Sequence, residues 1–256
     1  MEFKHVAILG AMPEEIGEIV NQIHDKKEIF YGDLKVIQGT WNDVVRKNKI
    51  LISVAWSGWG KVSSARAATR IISSINLGKK VDILIFTGVA GAVSNTLRQW
   101  DIVIASKLIQ YDMDARPFFE KFVIPAISKD HISIDDKLLK WTHSSLQTSK
   151  EKDSNLRDFG SINIGKIATG DKFISDREYL EEIKLQIPNL LAIEMEGAAV
   201  AQVACQEKVP CVILRTISDS ADEDAATSFD IFLKKYKSKS WFLIECLLKN
   251  LQINWS

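Results

Sequence analysis

The chain has 256 residues, with 33 Lys plus Arg set against 33 Asp plus Glu, 46% apolar residues and 26% charged ones. Zero formal net charge leaves no global field to draw in nucleic acid or an anionic membrane, so the expected partner is a small molecule or another protein. The length suits one large α/β domain or two small ones; no Pro- or Gly-rich linker divides it, and the reading is a single domain over residues 1–256.

Residues 6–9 form a compact apolar run ended by Gly10 and read as a buried strand. Pro13, Glu14 and Glu15 suit a helix N-terminus, and apolar residues at helical spacing carry that helix through residues 15–23. Residues 35–39 and 50–55 read as strands joined by a turn around Asn42-Asp43. A helix is predicted over 60–75, then a buried strand over 83–86 and a Gly-rich turn over 87–92. Residues 101–105 and 107–110 look like one long strand broken near Ser106. The polar stretch 143–158 reads as a surface loop or helix end. Further on come a strand at 162–169, a helix at 198–205, a strand at 212–216 and a long helix at 229–251. Strands alternating with helices predict an α/β fold with a mainly parallel sheet, whose ligands sit at the C-terminal ends of strands.

Five segments near those ends combine small residues with acids or hydroxyls. In Gly10-Ala11-Met12-Pro13-Glu14-Glu15 a carboxylate can reach a central cleft, or merely complement a helix dipole. Ser57-Gly58-Trp59-Gly60-Lys61 has the wrong spacing for a Walker A or a GxGxxG loop; it is a tight turn whose following helix can hold a polar group. Thr87-Gly88-Val89-Ala90-Gly91-Ala92 lets a backbone approach a ligand, or packs strand against helix. Around Ile193-Glu194-Met195-Glu196-Gly197 the neighbours are so apolar that a solvated face is a poor explanation for two acids. Burial raises such carboxyls unless they are paired, and a vicinal ribose diol would donate to one of them. Arg215-Thr216-Ile217-Ser218-Asp219-Ser220-Ala221-Asp222 puts a carboxylate at a strand end as a general acid or base, or as a helix cap.

Other features read as bland. His5, His24, His131 and His143 are scattered, and no G-x-S-x-G elbow accompanies them. Cys205, Cys211 and Cys246 lack metal-ligand spacing and are expected to be reduced and mostly buried. No apolar run reaches bilayer-spanning length, and the N-terminal run is too short for a secretory core, which predicts a cytoplasmic protein. Lys234-Lys235-Tyr236-Lys237-Ser238-Lys239 reads as a solvated helix face.

Taken together, the blocks GAMPEE, SGWGKV, TGVAGA, DIVIAS with YDMDARPFF, ATGDKFI, IEMEGAAVA and LRTISDSAD resemble the 5'-methylthioadenosine/S-adenosylhomocysteine nucleosidases, a hydrolase branch of the nucleoside phosphorylase family. They run from residue 6 to about residue 232, and the pairing of EMEGAA with RTISDSAD is the specific part. The resemblance implies a three-layer αβα fold around a central mixed sheet, a homodimer, and no metal or organic cofactor. It implies that Glu15 activates the attacking water and that Asp219, oriented by Ser218, protonates N7 of the leaving adenine. Glu196 would hold the ribose hydroxyls, Met195 would lie against the sugar, and Glu194 would touch the ribose or support Glu196. Phe173 would stack on the purine, and the Ile174 backbone would read its edge. Trp59 and Phe229 would line the 5' pocket, Met12, Val89, Ala90 and Gly91 would complete the substrate wall, and Phe118 would reach across the dimer. The chemistry is consistent: cleavage leaves positive charge on the ribosyl ring, stabilised by carboxylates, and negative charge on adenine, neutralised by the proton at N7.

The chain departs from the family pattern at Trp59, where a smaller aliphatic residue is usual, at Val89, which replaces a serine, and at Arg116-Pro117 beside Phe118. Phosphorolysis is disfavoured, because phosphate needs Arg or Lys donors and the first loop offers Glu14 and Glu15, with no arginine before Arg46. The other readings are a same-fold nucleosidase for another adenine nucleoside such as aminodeoxyfutalosine, and a polyanion-binding protein that uses the Lys234–Lys239 run.

Overall fold

A computed structural model of the chain describes residues 3–43, 48–219 and 225–251. The elements run β1 (His5–Gly10), α1 (Pro13–Ile16), α2 (Ile19–Gln22), β2 (His24–Tyr31), β3 (Leu34–Asp43), β4 (Asn48–Trp56) and α3 (Lys61–Ile72). Then follow β5 (Ile75–Asn76), β6 (Lys79–Lys80), β7 (Ile83–Ala92), β8 (Ile102–Gln110), β9 (Ile132–Ser133), α4 (Asp136–Lys152) and β10 (Ile162–Thr169). The chain continues with α5 (Arg177–Gln186), β11 (Leu190–Glu194), α6 (Gly197–Gln206), β12 (Cys211–Asp219), α7 (Ala225–Tyr236) and α8 (Ser240–Lys249).

Among the described residues ten strands form one mixed sheet in the order β11-β10-β8-β12-β7-β1-β4-β3-β2, with β9 beside β8. β7 pairs in parallel with β1 and β12, and its end also meets β11 antiparallel, so β7, β12, β8, β10 and β11 close into a distorted barrel. β1 and β12 are buried at every position, as central strands covered on both faces should be. The edge strand β2, HDKKEIFY, is charged and exposed, which discourages pairing with another chain. α3 and α6 pack together on one face of the sheet; α1, α4, α7 and α8 cover the other. Asp135 and Asp176 start α4 and α5 by accepting hydrogen bonds from the amides of the first helical turn. No helix among the described residues is long and apolar enough to cross a membrane.

Several elements differ from the sequence expectations. The helix expected over 15–23 is two single turns, because the chain bends at Gly17 where Lys237 and Ser240 press against it. Asn42 and Asp43 are not a turn but pair with Lys49 and Asn48; the connection falls on residues 44–47, outside the described residues, as does Arg46. The 87–92 turn is instead the second half of β7, held by β12 on one side and β11 on the other. The stretch 143–158 is mostly helix, since Thr142, Ser145 and Leu146 bury one face of α4. The C-terminal helix breaks at 237–239, so that Tyr236 stays buried beside β12 while α8 lies along α4. β12 continues past Thr216 to Asp219. The break near Ser106 is a register shift against β10, a bulge in a continuous strand. Cys211 and Cys246 are buried, whereas Cys205 is exposed.

Candidate active site

The C-terminal ends of β1, β7, β11 and β12 deliver their residues to one cavity, as a parallel sheet predisposes. Pro13 opens α1 and turns Glu15 back over the end of β1. Glu15 Oε2 accepts from Ala11 N at 2.6 Å and Met12 N at 3.1 Å, and Oε1 accepts from Val89 N at 2.9 Å. Burial pushes the Glu15 carboxyl up; Arg215 and these three amides pull it back. Gly88 makes room for this arrangement, because any Cβ there would collide with both Arg215 and Glu15.

Arg215 is completely buried and serves three acids at once. Its Nη1 lies 4.0 Å from Glu15 Oε1, and its Nη2 hydrogen-bonds Glu194 and lies 3.6 Å from Glu196 Oε2. The guanidinium also sits 4.1 Å over the Phe86 ring. Glu194 is fully engaged by Arg215, by Thr169, and by the amides of Glu196 and Gly197 at 3.1 and 2.7 Å. It therefore fixes the start of α6 instead of facing a ligand as a free acceptor. Among the described residues Glu196 accepts Gly60 N, at 2.9 Å through Oε1, and lines the cavity. Burial, then the charge of Glu194, push Glu196 up, against the pull of Arg215.

Opposite stands Asp219. The register of β12 against β7 shifts between Ile217 and Asp219, and this bulge turns consecutive side chains toward the cavity. Ser218 Oγ donates to Asp219 Oδ2 at 2.5 Å and lies 3.3 Å from Ala90 O, while Gln99 Nε2 fixes Ser218 O at 2.7 Å. Ser220, Ala221 and Asp222 of the same block lie outside the described residues.

The cavity spans about 570 Å³ including its open mouth. Met12, Glu15, Trp59, Val89, Ala90, Gly91, Phe173, Ile174, Glu194, Met195, Glu196, Ser218, Asp219 and Phe229 all line it, so these expected site residues are brought together. Phe229 is the hinge of an aromatic rim, edge-on to Trp59 at 6.3 Å and to Phe173 at 6.0 Å. Phe118 is not part of this wall; it is 87% exposed. The sequence reading left Arg215 without a role, although a lone arginine inside the strand CVILRTISD demands buried acid partners. It also passed over Ala11, Lys172 and Ile193, which line the cavity. Among the described residues no group of three or more His, Cys, Asp or Glu is placed to hold a metal.

A mixed α/β sheet with three acids around one buried arginine defines a class, and comparison with known proteins agrees. Residues 5–247 match the Phosphorylase superfamily. The 5'-methylthioadenosine/S-adenosylhomocysteine nucleosidase of Anoxybacillus flavithermus is 31% identical over 248 residues, covering 96% of this chain and 99% of that protein. The aminodeoxyfutalosine nucleosidase of Campylobacter jejuni is 38% identical over 228 residues, covering 89% and 91%. The crystal structure of the Neisseria meningitidis 5'-methylthioadenosine/S-adenosylhomocysteine nucleosidase in complex with methylthio-immucillin-A superposes with a TM-score of 0.84 at 30% identity, covering 96% of this chain and 99% of that one. The chain belongs to the phosphorylase superfamily and, within it, to the nucleosidases, enzymes that hydrolyse N-glycosidic bonds.

Proposed function

We propose that the protein hydrolyses the N-glycosidic bond of 5'-methylthioadenosine and S-adenosylhomocysteine, releasing adenine and the 5'-substituted ribose. The observation that carries this reading is the carboxylate of Glu15, oriented by three amides toward the cavity that Glu196 and Asp219 share. Glu15 takes a proton from the attacking water. Glu196 accepts both ribose hydroxyls and steadies the positive sugar ring. Asp219, held by Ser218, delivers a proton to N7 so that adenine leaves neutral. Phe173 stacks on the purine, the Ile174 backbone reads its edge, and Trp59 with Phe229 receives the 5' substituent.

The enzyme acts in the cytoplasm as a homodimer, with Phe118 of one subunit closing the other's pocket; its high exposure in a single chain supports that role. The product chemistry suits salvage of the methylthio group toward methionine. Aminodeoxyfutalosine is a second substrate candidate, favoured by the identity to the Campylobacter jejuni enzyme.

The test is adenine release from 5'-methylthioadenosine with and without phosphate. Release without phosphate, yielding free methylthioribose, is expected. Release only with phosphate would move the protein to the phosphorylases, and no release from this nucleoside, S-adenosylhomocysteine or aminodeoxyfutalosine would overturn the proposal.

A further inference from the structure

Two loops far apart in sequence bound the mouth of the cavity: residues 57–61 after β4, carrying Trp59, and residues 170–176 after β10, carrying Phe173 and Ile174. A closed ring of polar contacts ties them together. Lys61 N donates to Asp171 Oδ1 at 2.7 Å, and Asp171 N donates to Asp112 Oδ2 at 3.0 Å. Asp112 Oδ1 in turn accepts Lys61 Nζ at 2.6 Å, which returns the ring to its start. The Lys61 and Asp112 side chains are only 18% and 29% exposed, so this pair is better shielded than an ordinary surface ion pair.

The ring abuts the site through consecutive amides. Gly60 N holds Glu196 Oε1 at 2.9 Å, while the next amide, Lys61 N, holds Asp171. A Cβ on Gly60 would lie 2.9 Å from Asp171 Oδ1, so the two loops meet as closely as a glycine allows. On its other side Asp171 adjoins Lys172, whose carbonyl accepts Tyr111 Oη at 3.3 Å and whose ammonium lies 3.9 Å over the Tyr179 ring.

We propose that Asp171 is a positioning residue for the nucleoside site: with Lys61 and Asp112 it fixes the spacing between the amide that holds the ribose carboxylate Glu196 and the loop that holds the purine. The inference rests on the nucleosidase reading above. Without the Asp171 side chain, Lys61 N loses its acceptor, Gly60 N is free to tilt away from Glu196, and the Phe173 loop loses its direct link to the 57–61 loop while keeping those through Asp112 and Tyr111. Purine and ribose-hydroxyl contacts exist already in the bound ground state, so the loss raises KM, and kcat falls as well because Glu196 also steadies the positive sugar ring.

The experiment compares wild type, Asp171→Ala and Asp171→Asn in 5'-methylthioadenosine hydrolysis and in direct titration with adenine. Losing this solvent-exposed hydrogen bond predicts a KM raised about 3- to 10-fold in Asp171→Ala, a parallel rise in the adenine Kd, and a fall in kcat of no more than the same order. Asp171→Asn keeps an Oδ1 acceptor for Lys61 N and is expected to restore most of the loss. Unchanged KM and adenine Kd in a natively folded Asp171→Ala would overturn the proposal. Should that variant fail to fold, Lys61→Met and Asp112→Asn open the same ring, and unchanged values in both would overturn it equally. A wild type that binds adenine but hydrolyses no nucleoside would instead count against the nucleosidase reading, with the adenine titration still testing the ring.

Discussion

Arg215 Nη1 lies 4.0 Å from Glu15 Oε1, and both side chains are closed off from solvent. An acid from α1, just past the first strand, and the arginine of the last strand thus meet beneath the cavity, with Glu194 and Glu196 drawn to the same cation.

Removing that cation leaves three carboxyls facing one another without compensation. Arg215→Met is expected to destabilise the fold by about 3–5 kcal/mol, the usual penalty for breaking a buried ion pair. Urea unfolding followed by circular dichroism measures this; a midpoint equal to wild type would show that the acids do not depend on Arg215.

Glu15→Gln preserves the shape of the side chain but removes the base. A positioned acid or base is worth ~10²–10⁴-fold in rate, so kcat for 5'-methylthioadenosine should fall by that order while the protein stays folded. Retained activity would assign the water to another group.

Glu196 gives a pH signature. Burial, reinforced by the charge of Glu194, pushes its carboxyl above the ordinary value, against the pull of Arg215. A carboxyl raised by folding binds its proton more tightly in the native state, so its contribution is full below the unfolded value and drains away as pH rises through the folded one. Wild type should therefore lose stability relative to Glu196→Gln as pH rises above the ordinary carboxyl value of 4.5, read as the difference between urea midpoints. Parallel profiles for the two proteins would refute the shift.

Trp59 tests the substrate tail. It is 53% exposed and edge-on to Phe229 at 6.3 Å, at the rim assigned to the 5' group. Trp59→Ala should raise KM for 5'-methylthioadenosine by about 10-fold or more while leaving the adenine Kd near wild type, since lost apolar contact acts on the tail alone. An equal effect on adenine would place Trp59 at the purine instead.

The sheet was legible where short runs rich in apolar and β-branched residues are bounded by turn signals: strands at residues 6–9, 162–169 and 212–216 lie within or match β1, β10 and β12, even though Lys166 and Arg215 interrupt the last two. The small residues of 87–92 read as a turn signal, whereas the segment is a paired strand in which Gly88 admits Arg215 and Glu15. β2 escaped because HDKKEIFY carries the charge of an edge, not the alternation of a half-buried strand. At the site, the acids and aromatics were readable as motifs. The ring of Lys61, Asp112 and Asp171 was not, since its members come from three separate segments that only the tertiary fold unites.

Closure of the five-strand barrel also dictates an order of assembly. Glu15 is made early, but its Val89 partner stands 74 residues away and Arg215 arrives on the last strand. β7 has β1 as a neighbour from the outset, yet its other flank waits for β11 and β12. On a growing chain the charge that balances Glu15, Glu194 and Glu196 is therefore the last of the four to be made. Contacts of such long range make folding slow, and catalytic competence comes only with the closing strand.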